Sequence, residues 1–109
     1  MSLLKHQYIR SKALTQSAAG QPCVRCGSAD GTVVAAHYTG LRQHAYGKGR
    51  GIKCDDTVSA ELCQACHQWF DAPAQRKSIE ASEEFLHCVV LTNRHRYDRG
   101  LISVKGAKS

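Results

Sequence analysis

Four of the six cysteines in this 109-residue chain fall into two C-x-x-C pairs, and no other feature restricts the fold as much. Cys23-Val24-Arg25-Cys26 and Cys63-Gln64-Ala65-Cys66 each hold two thiols at the spacing that chelates one soft metal ion. The intervening segment is long enough to bring both knuckles to a single tetrahedral centre. Gly27 follows the first pair, and glycine permits the left-handed backbone that aims amide N–H groups at thiolate sulfurs. The four thiols therefore predict a structural Zn²⁺ site. A domain this small buries a modest fraction of its surface, so a metal staple would help it fold.

Other uses of the thiols fit less well. A redox pair expects a thioredoxin-like setting, which is absent, and would not need a second pair. Cys63 to His67 also matches the C-x-x-C-H haem pattern, which requires export and leaves Cys23 and Cys26 unexplained. A zinc deaminase needs a glutamate two residues after its histidine and a proline before its C-x-x-C; Thr39 and Leu62 stand there instead. Cys88 reads as a small core residue, and Cys54 has no assigned role. The first residues, Met1 to Gln7, carry no apolar run long enough for a signal peptide, and no later segment could span a membrane. The expected compartment is the cytosol, where paired cysteines are more often metal sites than disulfides.

A histidine follows the second pair directly, and Asp71 stands four residues after His67. If a helix opens at the second cysteine, His67 and Asp71 share one face a turn apart. Thiolates suit a structural zinc; an imidazole with a carboxylate suits a catalytic divalent ion that keeps open positions. Trp69 and Phe70 read as packing anchors for the knuckle.

Elsewhere the chain reads as a single domain over residues 1–109, with a core of about 21–72, an N-terminal arm or helix before it and a C-terminal helix and tail after it. Leu3, Leu4, Tyr8 and Leu14 suggest a short helix or ordered arm over residues 3–15, with Ser11 and Lys12 solvated. Thr32 to Tyr38 is the best strand, after the hairpin signal Asp30-Gly31, and Thr57 to Leu62 makes a second. Ala72-Pro73-Ala74 breaks the chain, and Ser78 to about Tyr97 reads as an amphipathic helix with Ile79, Phe85, Leu86, Val89 and Val90 on its apolar side. Glu80, Glu83 and Glu84 at its start and Arg94, His95 and Arg96 at its end suit the helix dipole. Val89-Val90-Leu91 is apolar enough for a strand as well, and Leu101 to Ser109 is a short strand or a tail. His87 and His95 fall on the helix surface.

Lys and Arg number 15 against 9 acidic residues, a formal charge of +6 that favours a polyanionic partner. Between the strands, Gly40 to Asp56 mixes four glycines with Arg42, His44, Lys48, Arg50 and Lys53. It reads as a flexible basic loop with little capacity to form a core, either a solvated insertion or a loop whose amides and cations grip a nucleic-acid backbone.

Cys23-x-x-Cys26, a strand closing on Ala36-His37-Tyr38, a glycine-rich loop, and then Leu62-Cys63-x-x-Cys66-His67 resemble the HNH, or ββα-metal, endonucleases. The likeness is to the small phage and prophage members with a zinc-bound treble-clef knuckle, and it covers roughly residues 21–72. The resemblance implies an α+β fold, a hairpin and helix cradling one divalent ion such as Mg²⁺, and hydrolysis of phosphodiester bonds in DNA. Carried over by position, His37 would be the general base, with His67 and Asp71 as ligands of the catalytic ion. A histidine near its ordinary pKa can take a proton from water at neutral pH. The sequence departs from the family in two places. Ala36 stands where many members carry a further metal ligand, and no asparagine occupies the place that braces the loop and orients the base. Asp56, with Asp55 beside it, is the nearest substitute, at a longer separation from Cys63 than the motif usually has.

Overall fold

Two short segments on either side of the glycine-rich loop form an antiparallel pair in the computed structural model, which describes residues 6–107; the β-branched Thr32 and Val33 lie just before the first of them. β1 (Val34–His37) runs against β2 (Ser59–Leu62), with Val34 opposite Leu62 and His37 opposite Ser59. Both are shorter than the predicted strands, although the Tyr38 N–H carries the pairing one step further by donating to the Val58 carbonyl at 3.0 Å. Four α-helices complete the α+β arrangement among the described residues: α1 (Lys12–Gln16), α2 (Gln64–Asp71), α3 (Pro73–Arg76) and α4 (Ile79–Asp98). None of them is long and apolar enough to cross a membrane. Leu3, Leu4, Lys108 and Ser109 lie outside the described residues.

Local chemistry sets the helix ends. Cys63 is the extended residue that precedes α2, so Cys66 and His67 both lie inside its first turns. Ala72 returns to an extended conformation and Pro73 opens α3, where its missing N–H costs nothing. Ser78 caps α4 by accepting the Ala81 N–H at 3.1 Å. Ser11, expected to be solvated, caps α1 in the same way.

α4 is helical throughout, including Val89 to Leu91, and its buried side is not the expected one. Phe85 and Val89 are buried as predicted, but Ile79 is 73% and Val90 66% exposed. The helix instead lays Ala81, Phe85, Cys88, Thr92 and Arg96 across the sheet. The polar members of that face have partners: Thr92 Oγ1 accepts the Glu61 N–H at 3.0 Å, and Arg96 donates to Ser59 Oγ at 2.8 Å and Asn93 Oδ1 at 2.9 Å. Arg96 is therefore a fully buried strut rather than a solvated complement to the dipole. Burial of Glu61 follows the same rule, since Arg99 grips both its oxygens at 3.3 and 2.7 Å.

Phe70 of α2 stacks on Phe85 of α4 with centroids 4.4 Å apart, and Tyr38 meets Phe85 edge-on at 5.3 Å. These rings join the knuckle, the strand carrying His37 and the long helix into one core. Phe85→Ala should lower stability by ~3–5 kcal/mol, seen as a lower denaturant midpoint at an unchanged m-value.

Gly40 to Asp56 is more ordered than its composition suggests. It forms a 3-10 turn over Gln43–Tyr46 and a small bridge between Gly49 and Ile52. Cys54, with no role in the sequence, is fully buried and donates its thiol proton to the Tyr38 carbonyl at 3.4 Å. Gly40 is required by contact, since a Cβ there would stand 2.7 Å from the Tyr38 hydroxyl oxygen. After Gly100 the chain continues in turns and bends, with no strand among the described residues.

Candidate functional site

The thiols of Cys23, Cys26, Cys63 and Cys66 converge so that their sulfurs lie within 4.8 Å of one another. Cys26 Sγ and Cys63 Sγ are 3.6 Å apart. A tetrahedral zinc with bonds of ~2.3 Å separates its sulfurs by about 3.8 Å, so the four thiols are placed to hold such an ion. The first knuckle is a tight turn: the Gly27 N–H donates to the Cys23 carbonyl and the Cys23 N–H to the Ser28 carbonyl, both at 2.8 Å, with Gly27 at φ +81°. The Val24 N–H fastens it to the Glu61 carbonyl of β2 at 2.9 Å. The second knuckle runs from the end of β2 into α2, so the sheet itself brings the two together.

Burial would raise the Cys23 thiol, but backbone N–H donors at Cys63, Cys26 and Arg25 outweigh it and bring the pKa to about 7. Cys66 is pushed up to about 12, chiefly by burial, with Arg25 opposing. A divalent ion draws such protons off, so metal affinity rises with pH. The Arg25 guanidinium donates to Cys66 Sγ at 3.6 Å, lies 4.2 Å from the Trp69 ring centroid and 5.0 Å from that of Phe70, and pairs with Glu84 at 3.5 Å. Trp69 is 40% exposed and serves as the platform for this arginine. Arg25→Ala should weaken zinc binding ~10- to 100-fold, measured by competition with a chromophoric chelator.

His37 lies at the end of β1, its ring half-buried, and Nε2 is 2.8 Å from Asp56 Oδ1. A carboxylate accepts, so Nε2 carries the proton and Nδ1 presents its lone pair. Burial holds His37 below the ordinary 6.5, with the Asp56 carboxylate pulling the other way and Lys53 and Arg10 reinforcing the fall. Burial would raise Asp56, but the His37 contact, the Ser11 N–H and Arg10 together lower it. At neutral pH the pair is a neutral imidazole on a carboxylate.

Asp56 is fixed from three directions. Its carboxylate accepts the Ser11 N–H at 2.6 Å and Arg10 at 3.3 Å. Its own N–H donates to the Ile9 carbonyl at 2.8 Å, and its carbonyl accepts Ser59 Oγ at 2.7 Å. Asp55 holds the same arm, through His6 at 2.7 Å and the Ile9 N–H at 3.3 Å. Arg10 also reaches the Lys53 carbonyl at 2.8 Å. The arm thus completes one wall of a cavity of about 590 Å³ lined by His37, Asp56, Arg10, Lys53, Val34 and Ile52. The part played by Arg10 and Ser11 is not visible in the sequence, because nothing local ties residues 6–11 to residues 53–56.

His67 and Asp71 sit one turn apart on α2, with Nε2 3.3 Å from Oδ2. This is the contact of an ordinary i,i+4 pair, and its spacing is also close to the ~3 Å between adjacent donors of an octahedral ion. Asp71 Oδ1 also takes Arg76 at 3.5 Å and the Thr39 hydroxyl at 3.4 Å. Thr39 is two residues past His37, about 7 Å along an extended chain. The cysteines are the one convergent group of three or more potential metal ligands among the described residues; His37 does not join His67 and Asp71 in another. The position before His37, Ala36, is 1% exposed and faces the core. Of the loop cations, Lys53 lines the His37 cavity, Arg42, His44 and Arg50 are exposed, and Lys48 is partly buried with its carbonyl bound to His44. Compared with protein-family models, curated proteins and solved structures, the chain matches none.

Proposed function

We propose that this chain is a zinc-stapled, metal-dependent endonuclease of the ββα-metal type that hydrolyses phosphodiester bonds in DNA. The observation that carries the reading is the His37–Asp56 pair, a neutral imidazole fixed in one tautomer at the edge of a cavity flanked by Arg10 and Lys53. In this mechanism the two cations and the basic loop draw the phosphate backbone in, and Nδ1 of His37 takes a proton from the attacking water. Asp56 holds the ring and stabilises the imidazolium that forms. His67 and Asp71 would hold a divalent ion beside the strand exit, which when bound supplies Lewis-acid stabilisation of charge on the phosphate and leaving oxygen. The four-cysteine zinc fixes β2 and α2, and so the spacing between His37 and that pair.

The test is incubation of purified protein with plasmid in Mg²⁺, Mn²⁺ or Ni²⁺. Nicking or linearisation is expected with at least one ion and none in chelator. Cutting that survives both His37→Ala and His67→Ala unchanged would show that the reading is wrong.

One observation favours a second reading, a zinc module that binds nucleic acid without cutting it. His37 and the His67–Asp71 pair do not converge as a three-ligand group. DNA binding that falls steeply with salt, with the DNA intact under every metal, would select that reading.

A further inference from the structure

The helix face that the sequence places in the core, and the structure leaves in solvent, has a use of its own. Ile79 and Val90 of α4 are 73% and 66% exposed, and Leu41 from the loop beside them is 52% exposed. With partly buried Leu86 they line one groove of about 730 Å³, which shares no residue with the His37 cavity. Large apolar side chains gathered on one face of a small basic domain mark a contact surface rather than scattered exposure. A polyanion would find little there, because the α4 side of the groove carries Glu83 and His87 and only Arg42, at its edge, is permanently cationic.

We propose that this face pairs with the same face of a second copy, the two α4 helices antiparallel about a two-fold axis. Ile79, Glu83, Leu86, His87 and Val90 recur at helical spacing, so an antiparallel partner sets Ile79 of one copy against Val90 of the other, and Glu83 against Leu86 and His87. Apolar ends meet apolar ends, and each carboxylate meets an imidazole. A parallel arrangement in register would instead set Glu83 against Glu83 and His87 against His87. A two-fold contact of this kind is closed and self-complementary, so it stops at a dimer.

Sedimentation equilibrium of the zinc-loaded protein from micromolar to near-millimolar concentration tests this. A monomer–dimer equilibrium is expected. Val90→Glu, at a solvent-exposed site, should leave the circular dichroism and zinc content unchanged and weaken dimerisation at least tenfold. Glu83→Arg should weaken it too, and the double variant Glu83→Arg with His87→Glu should restore it, because the swap rebuilds the cross-helix pair only if the helices run antiparallel. A protein that stays monomeric throughout the range, a dimer indifferent to Val90→Glu, or a double variant no better than Glu83→Arg would each overturn the proposal.

Discussion

Stripping the protein with a strong zinc chelator at neutral pH is expected to abolish its cooperative thermal unfolding transition, and adding one equivalent of Zn²⁺ should restore it. Structural zinc contributes ~10–16 kcal/mol in small domains at this pH, as much as the whole stability of an ordinary domain, ~5–15 kcal/mol. The described core is modest, and three of the four thiols belong to it: Cys23, Cys63 and Cys66 are each no more than 5% exposed. Without an ion, four sulfurs are packed together with the Arg25 guanidinium, 3.6 Å from Cys66 Sγ, as the cation beside them. Cys63→Ser should behave like chelation, since it removes the ligand at the junction of β2 and α2. Circular dichroism and metal analysis by mass spectrometry provide the readout; an apo protein that melts cooperatively at the same temperature would show that the ion is dispensable.

The second large effect concerns the imidazole at the strand end. On the proposed mechanism, His37→Ala should reduce DNA hydrolysis ~10²- to 10⁴-fold with the fold intact, the usual range for loss of a general base. Asp56→Asn keeps a side chain of the same shape but removes its charge, so the loss should be smaller and should come with a changed pH profile. Burial holds His37 below 6.5, so the acid limb of the wild-type profile is expected below that value. The Asp56 charge raises His37, and its removal should move the limb lower still. Stability shares the sign. His37 binds a proton more readily unfolded than folded, so its contribution is present above 6.5 and is lost as the pH falls from there through the lower folded-state value. An acid limb at or above 6.5, or one unmoved by Asp56→Asn, would count against His37 as the group that titrates.

What is legible in the sequence is whatever depends on short spacing. The C-x-x-C pairs and the His67–Asp71 turn are local relations, and the structure reproduces both. The long helix follows from its cap and spacing, whereas the second strand, Ser59–Leu62, carries no β-branched or aromatic residue and is defined by its pairing with the first. The buried face of α4 departs from expectation because side-chain type is a poor guide when buried polar groups find partners, as Thr92 and the terminal nitrogens of Arg96 do while Arg96 Nε does not. Thr92 and Arg96 sit inside because Glu61 and Ser59 supply their partners, and Ile79 and Val90 fall outside as a result. The basic loop reads as flexible because glycine content hides contacts such as Cys54 with Tyr38. Asp56 can be nominated from the sequence but not assigned, since its distance from His37 is set by the fold. Arg10 and Ser11 reach it across some forty-five positions, which no periodicity reports.

That long reach ties the ionisation of one histidine to the segment from His6 to Ser11. The segment from His6 to Ser11 is anchored on adjacent carboxylates, and one of them is the acceptor for the His37 ring. Whatever peels the segment away, a fused tag or a trimming protease, also loosens Asp56 and withdraws the Arg10 cation. Proton affinity at the strand end and anchorage of the leading segment are therefore two readings of one equilibrium.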